Sequence, residues 1–143
     1  MAKYIDEVYV YTDGSCKPNP GTVVYAYLFS NGEQILKGPI SESSGEGTNI
    51  VAEFKAIEVA LENAIAFTRR KVKIHSDCEF VILAINKQRR ISDKAKHLRS
   101  LLSSVYQKAS VYDEVTYTHV SENNKFIKLC HIACDDLFQK MGF

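Results

Sequence analysis

The stretch YTDGSCKPNPG, at Tyr11–Gly21, marks a change from a β-strand to a turn. It overlaps a run rich in Tyr, Val and Ile from Tyr4 to Thr12, a composition typical of strands, and that strand is predicted to end at Asp13. The glycines and prolines of GSCKPNPG then predict a turn or loop. A carboxylate is therefore expected where the first strand leaves its sheet.

The rest of the chain predicts four more strands with helices between them. The hairpin signal Asn31-Gly32 joins strands predicted over 22–29 and 34–40, and the polar stretch SESSGEG is predicted to be a loop. Helices are predicted over 49–67, 78–86 and 125–141, and a further helix is predicted to follow an N-cap at Ser92-Asp93. The last two strands are predicted over 72–76 and 115–120.

This order of elements favours an α/β protein. A hairpin-rich start followed by strand–helix alternation predicts a mixed sheet with helices on its faces. The crossover through the long helix lets the fourth strand lie parallel to the first.

Length and composition limit the class of protein. A chain of 143 residues fits one domain over 1–143, and a composition of 45% hydrophobic and 24% charged residues is typical of globular proteins and argues against disorder. No apolar run reaches the ~18–20 residues of a membrane span. The segment MAKYIDEVYVYTDG lacks the apolar core of a signal peptide, which predicts a cytoplasmic protein with four reduced cysteines. We expect a monomer, and Met1 favours a free-standing protein over a domain of a longer polyprotein.

Positive charge is concentrated in one segment. Lys87–Arg99 carries +5, which leaves −4 for the rest of a chain whose net charge is +1. Such a patch suits a polyanion, although a solvated helix face would have the same composition.

Three carboxylates stand out by position. Asp13 and Asp77 each follow a predicted strand, and parallel neighbouring strands would bring them to one sheet edge. Either aspartate alone is also typical of a turn or a helix cap. Glu53 differs, because it falls on the apolar stripe of its helix, between Ile50 and Ile57, where burial of a carboxylate needs compensation.

A divalent cation is one such compensation, and a buried arginine or hydrogen bonds are others. Converging carboxylates repel one another unless a cation lies between them, and hard oxygen ligands select Mg²⁺ or Mn²⁺. Cys130, His131 and Cys134 also suggest a zinc set, but a fourth ligand with suitable spacing is missing, and thiols commonly pack helix cores.

The motifs around these acids resemble type 1 ribonuclease H over nearly the whole chain. YTDGSCKPNPG is similar to the family's opening strand and loop, TNIVAEF at Thr48–Phe54 to its T-N-x-x-x-E helix start, and HSDCEFV at His75–Val81 to its third acidic segment. ACDDLF at Ala133–Phe138 resembles the final helix more loosely.

The resemblance implies the ribonuclease H-like fold, a five-stranded mixed sheet in the order 3-2-1-4-5 flanked by helices. It implies hydrolysis of the RNA strand of RNA–DNA hybrids by a two-metal mechanism that leaves 5′-phosphate and 3′-hydroxyl ends. Asp13 would bridge two Mg²⁺ ions, for which Mn²⁺ can substitute. Glu53 and Asp77 would bind one ion and Asp135 the other, with Asp136 as the alternative fourth acid.

By the same resemblance, substrate contacts fall on Cys16, Asn19, Thr48, Asn49, Arg89 and Arg90. The family's mobile histidine corresponds to His119, with His131 as the other candidate, but the segment between His119 and Asp135 is longer than usual. The family's tryptophan of the fifth strand is absent, and Tyr117 takes its position. A DNA nuclease of the same fold and a catalytically silent hybrid-binding module are the competing interpretations.

Overall fold

Five strands and four helices make up the part of the chain that the structure, a computed structural model, describes, residues 4–143. Met1 lies outside those residues. The strands are β1 (Glu7–Lys17), β2 (Gly21–Ser30), β3 (Ile35–Gly47), β4 (Lys71–Ser76) and β5 (Glu114–His119). The helices are α1 (Asn49–Asn63), followed by a 3-10 turn at Ala64–Ala66, then α2 (Glu79–Ile85), α3 (Lys96–Ala109) and α4 (Lys125–Lys140).

The strands form one mixed sheet in the order β3-β2-β1-β4-β5, which confirms the predicted order. β2 pairs antiparallel with β1 and with β3, whereas β4 runs parallel to β1 and to β5. The β1–β4 pairing ends at Thr12 opposite Ser76. Asp13 and Asp77 are therefore the next residues of two parallel neighbours, at the edge where ligands bind in open α/β sheets.

Strand alternation divides the apolar side chains between the two faces of the sheet. Val8 and Val10 join the core under α1, which also contains Phe54 and Ile57. Tyr11 faces the other way and packs with residues of β2 and α4, among them Val24, Leu28, Ile127, Cys130 and Phe138. The layers are thus α4, the sheet, and α1 with α3 packed against it.

Two predicted loops belong to strands. β1 continues past Asp13 because Gly14–Lys17 pairs with Thr22–Tyr25 of β2, so GSCK is not a loop. β3 likewise includes SESSGEG and pairs as far as Gly47 opposite Gly21. Glycine, glutamate and lysine, which occur in these segments, have low strand propensity, and the hydrogen-bonding demand of the neighbouring strand overrides that local preference.

The first hairpin has the predicted position but a longer loop. Residues 31–34 separate β2 from β3, and the Asn31 Oδ1 atom accepts hydrogen bonds from the backbone N–H groups of Glu33 and Gln34, at 3.0 and 2.8 Å. Gly32 supplies a φ of +103°. The Asn-Gly pair therefore sits in a four-residue connection rather than a two-residue turn.

The predicted cap of α3 is wrong. The helix begins at Lys96, and Ala95 at its N-cap makes no side-chain hydrogen bond. The Ser92 Oγ atom accepts from the Lys94 N–H, while Asp93 pairs with Arg99 at 2.7 Å and with Arg90 at 3.3 Å. The side-chain oxygens of Ser92 and Asp93 therefore interact with residues other than the first turn of α3 that they were predicted to cap.

Within residues 4–143, every helix is too short or too polar to cross a lipid bilayer.

Candidate metal centre

Three carboxylates from three elements meet at the end of the β1–β4 pairing. Asp13 lies on β1, Glu53 on α1 and Asp77 directly after β4, and one oxygen from each falls within 4.8 Å of the others. Asp13 and Glu53 are buried and Asp77 is half-buried. The structure therefore brings together the three acids predicted to form one site.

A close approach of α1 to β1 positions Glu53. A Cβ atom at Gly14 would lie 2.3 Å from the carbonyl carbon of Ala52 and 2.6 Å from the backbone nitrogen of Glu53, so only glycine fits there. The helix begins one turn earlier, where the Thr48 Oγ1 atom accepts from the Val51 N–H. This start places Glu53 on the buried side of α1, as its place on the apolar stripe predicted.

Burial and repulsion raise the affinity of these acids for protons. Burial, followed by the charge of Asp77, raises the pKa of Asp13 to about 6. Burial and the charges of Asp13 and Asp77 hold the pKa of Glu53 well above its usual range. Without a counter-charge the cluster therefore disfavours full ionisation.

Hydrogen bonds orient Glu53. The Ser76 hydroxyl donates to Glu53 Oε2 at 3.4 Å and accepts from the Cys78 N–H at 3.1 Å. Ser76 is buried at the last residue of β4, so it links the end of that strand to the helix carboxylate.

Asp77 opens towards solvent and has charged neighbours on both sides. Burial and the charge of Glu122 raise the pKa of Asp77, whereas the neighbouring His131 and His119 lower it. His119 is exposed at the end of β5, in register with Ser76. A cleft of about 390 Å³ beside Asp77 is lined by Glu122, Asn123, Ile127, Lys128, His131 and Ile132.

Helix α4 adds a histidine and a fourth carboxylate. His131 Nδ1 lies 3.3 Å from Asp13 Oδ2, and His131 Nε2 lies 3.4 Å from Asp135 Oδ2. Asp135 is 48% exposed, and its carboxylate is outside the group of three that share one site. Asp136 is exposed and makes neither contact, so Asp135 is the member of the pair directed at the site.

Zinc ligation by the α4 cysteines does not fit the structure. The thiols of Cys130 and Cys134 are buried and face the carbonyl oxygens of Tyr11 and Asp13, at 3.4 and 3.9 Å, whereas His131 is exposed. Burial raises the pKa of both thiols, which opposes the thiolate that a metal would need. Both cysteines pack α4 onto the sheet.

The donor set of Asp13, Glu53 and Asp77 fits a hard divalent cation. All three offer oxygen, and their oxygens are close enough to share an ion. A cation would also relieve the repulsion that raises the pKa values of Asp13 and Glu53. Carboxylate oxygens suit Mg²⁺, Ca²⁺ and Mn²⁺.

Four of the predicted substrate residues form one polar cluster at the start of α1. The Asn49 Oδ1 atom accepts from the Cys16 backbone N–H at 3.0 Å, and the Cys16 thiol donates to Asn19 Oδ1 at 3.3 Å. Thr48 is the adjacent helix cap. The structure therefore joins the β1 end, the following turn and the α1 start in one surface.

Arg89 and Arg90 lie apart from that cluster, in the segment after α2. The Arg89 guanidinium stacks over the Phe80 ring at 4.7 Å, and Arg90 pairs with Asp93. They line a cavity of about 310 Å³ with Lys87, Ile91, Arg99 and Tyr106. The predicted basic patch is thus an exposed surface rather than one face of a regular helix.

Two residues beside the acids were not predicted in these roles. Ser76 carries no local signal, because its contact with Glu53 depends on the packing of α1. His131 was considered for zinc and proton transfer, and only its spacing of four residues from Asp135 indicates that both share one side of α4.

The amino-acid sequence is similar to those of known ribonucleases H. Ribonuclease H from Thermoanaerobacter sp. is 34% identical over 85 residues, which cover 59% of this chain and 52% of that protein. The chain spans about half the length of the curated relatives that it matches at this level.

Solved structures extend the likeness to almost the whole chain. RNase H1 from the halophilic archaeon Halobacterium salinarum has a TM-score of 0.79 at 25% identity, over 91% of this chain and 98% of that one. LC11-RNase H1, solved in complex with an RNA/DNA hybrid, has a TM-score of 0.76 at 20% identity, over 92% and 99% of the two chains. At 20% identity this second likeness concerns the fold.

The RNase H family model matches residues 6–133. That match includes Asp13 on β1, Glu53 on α1 and Asp77 directly after β4. The chain therefore belongs to the RNase H family.

Proposed function

We propose that this protein is an endoribonuclease that hydrolyses the RNA strand of RNA–DNA hybrids. The observation that carries the proposal is the convergence of Asp13, Glu53 and Asp77 at the sheet edge of an RNase H family chain. The hybrid in the LC11-RNase H1 structure supports the choice of substrate.

Asp13, Glu53 and Asp77 would hold two divalent cations, with Asp135 contributing from α4. Bound there, two such ions supply a water of lowered pKa and stabilise the charge that develops on the leaving oxygen. The buried carboxylates need little reorganisation, because the Gly14 contact and the Ser76 hydroxyl already orient Glu53.

The reaction adds water to the phosphorus and breaks its bond to the 3′ oxygen. The phosphate stays on the 5′ end of the downstream fragment, and the 3′ oxygen gains a proton to leave a 3′-hydroxyl. His119 is our candidate for moving that proton, since it is exposed beside Asp77 and an imidazole nitrogen can accept or donate a proton.

Strand selection requires contact with the 2′-hydroxyl, the group that distinguishes RNA from DNA. In the cluster of Cys16, Asn19 and Asn49, the two asparagines are exposed and their side chains are hydrogen-bonded to the buried Cys16. We assign it to the minor groove of the hybrid. Thr48 would contact a phosphate of the DNA strand.

The class of substrate is tested by comparing an RNA–DNA hybrid, duplex RNA and duplex DNA of one sequence in Mg²⁺. We expect cleavage of the hybrid alone, within its RNA strand, with 5′-phosphate ends detected by phosphatase treatment and labelling. Cleavage of duplex DNA would identify a DNA nuclease of the same fold. Binding of the hybrid without cleavage in Mg²⁺ or Mn²⁺ would identify a silent module.

The variant Asp13→Asn tests the metal centre within that reaction. It removes a charge shared by the cations, so hybrid cleavage should fall by about a thousandfold or more, at the scale of losing a central catalytic group. Hybrid affinity, measured by fluorescence anisotropy, should stay within about threefold, because phosphate contacts dominate it. Cleavage within tenfold of the parent would contradict the assignment.

A further inference from the structure

The imidazole of His131 lies between two carboxylates of the metal centre. Nδ1 is 3.3 Å from Asp13 Oδ2 and Nε2 is 3.4 Å from Asp135 Oδ2, so both ring nitrogens face carboxylate oxygens. The side chain is 63% exposed and lines the cleft beside Asp77. Cys130 and Cys134 on the same helix are instead buried in the core.

The distance between Asp13 and His131 suits two ligands of one ion. Donor atoms bound at right angles to a cation with bonds of ~2.1 Å stand about 3 Å apart. Asp13 is also one of the three acids that share a site, and Nδ1 of His131 lies against its Oδ2 atom from outside that group of three.

The Asp135 contact has the form expected around a metal-binding histidine. Such a histidine generally donates its second ring N–H to a carboxylate, which sets its tautomer and its orientation. Asp135 lies four residues after His131, and its carboxylate meets Nε2, on the ring edge away from Asp13.

We propose that His131 is a nitrogen ligand, through Nδ1, of a cation bound at Asp13, and that Asp135 orients the imidazole. The inference rests on the metal centre of the proposed function and deepens it, because it specifies which ions the site prefers. Imidazole binds later first-row metals better than it binds Mg²⁺. The site should therefore bind Co²⁺ or Mn²⁺ more tightly, relative to Mg²⁺, than a site of carboxylates alone.

Pulsed electron paramagnetic resonance of the Mn²⁺-loaded full chain tests direct ligation. We expect a ¹⁴N coupling from a coordinated imidazole in the parent, its loss in His131→Asn, and its retention in His119→Asn, which removes the exposed histidine beside Asp77. Asp135→Asn should keep the coupling while weakening Mn²⁺ affinity about tenfold, as for other orienting partners. A coupling that persists in His131→Asn overturns the proposal, and so does a parent that lacks the coupling or fails to bind Mn²⁺.

Calorimetric titration with Co²⁺ and Mg²⁺ gives a second measurement. His131→Asn replaces imidazole with an amide oxygen, so the ratio of Co²⁺ to Mg²⁺ affinity should fall about tenfold or more, mainly through Co²⁺. An unchanged ratio would contradict nitrogen ligation. Thermal unfolding of each variant in chelator shows that the fold is intact.

Hybrid cleavage by the same preparations separates this inference from the proposed function. Cleavage without a ¹⁴N coupling would support the proposed ribonuclease activity and overturn the proposed role of His131 as a metal ligand. A ¹⁴N coupling that depends on His131, without hybrid cleavage, would support His131 as a metal ligand and overturn the proposed ribonuclease activity.

Discussion

Asp13 shows a conflict between stability and function at the scale of single residues. Its side chain is 7% exposed, and its neighbours Glu53 and Asp77 bear the same sign of charge. Burial is the first cause of its raised pKa, and repulsion from Asp77 is the second. Such a group destabilises the metal-free protein when ionised and becomes favourable only when a cation is bound.

A pH dependence of stability follows for the metal-free protein. Because the pKa of Asp13 is raised to about 6, the folded state binds its proton more tightly than the unfolded state does. The stability associated with that proton is present at low pH and is lost as pH rises from about 4 through about 6. Asp13→Asn should therefore raise the free energy of unfolding at pH 7.5 by about 1–3 kcal/mol, with little gain at pH 4.

Urea unfolding in chelator at both pH values measures this effect, with the parent as the reference for all other titrating groups. Equal gains at the two pH values would show that removal of the charge is not the cause. Saturating Mg²⁺ should stabilise the parent at pH 7.5 more than it stabilises Asp13→Asn.

The two aspartates of α4 should differ in importance. Asp135 contacts His131 and Asp136 is exposed without that contact, so Asp135→Asn should lower hybrid cleavage about 10–100-fold while Asp136→Asn stays within about twofold. Steady-state cleavage in Mg²⁺ measures both variants, each serving as the control for the other. A larger loss in Asp136→Asn would assign the fourth acid to that residue.

At the scale of elements, the contact between α1 and β1 assembles the site. Phe54, Ile57 and Leu61 are completely or almost completely buried, each contributing about 1.5–3 kcal/mol of transfer free energy, and they hold the helix on the sheet. Gly14 permits the helix start to approach the strand closely, and Glu53 lies at that point. Packing of one helix therefore decides where the second acid lies relative to the first.

The variant Gly14→Ala tests this contact. The added methyl group would meet the backbone of Ala52 at 2.3 Å, so α1 must shift, at a cost of about 2–3 kcal/mol in the free energy of unfolding. Mn²⁺ affinity should fall with it, because Glu53 moves away from Asp13. Urea unfolding and Mn²⁺ titration are the measurements, and Ser15→Ala, the next residue on β1, is the matched control. Unchanged Mn²⁺ affinity in Gly14→Ala would show that the position of α1 does not control metal binding at the site.

At the scale of the whole molecule, charge is distributed unequally. The segment Lys87–Arg99 is basic, whereas the sheet edge between β1 and β4 is acidic. Phe80 connects the two regions, since it is three residues after Asp77 and its ring contacts the Arg89 guanidinium. A hybrid bound across both would place its backbone on the arginines and one phosphodiester at the acids.

Replacing both Arg89 and Arg90 with glutamine tests that path. The variant should raise KM for the hybrid and reduce the slope of log affinity against log salt by about one to two, with kcat little changed. The control is the double variant of Arg69 and Arg70, which removes the same charge before the start of β4, at the strand end opposite Asp77. Equal salt slopes in the two double variants would show that the basic patch does not contact the hybrid.

Local sequence patterns and motifs were sufficient to predict most of the strands and helices and the three acids. Composition, turn signals and hydrophobic periodicity predicted all five strands and all four helices. Position alone singled out Glu53 and left Asp13 and Asp77 ambiguous, and the family motifs then identified the three acids, which the structure brings together. The errors have a common cause. SESSGEG, GSCK and the start of α3 have local preferences that neighbouring strands or ion pairs override.

The sequence by itself determined the family resemblance, the sheet order that it implies and the three acids, because these depend on motifs and periodicity along the chain. Only the tertiary structure decided that Asp13 lies inside a long strand, that Gly14 admits α1, and that His131 stands between Asp13 and Asp135. These features depend on distances between elements far apart in sequence. Such distances are set by packing and hydrogen bonding, which no local pattern encodes.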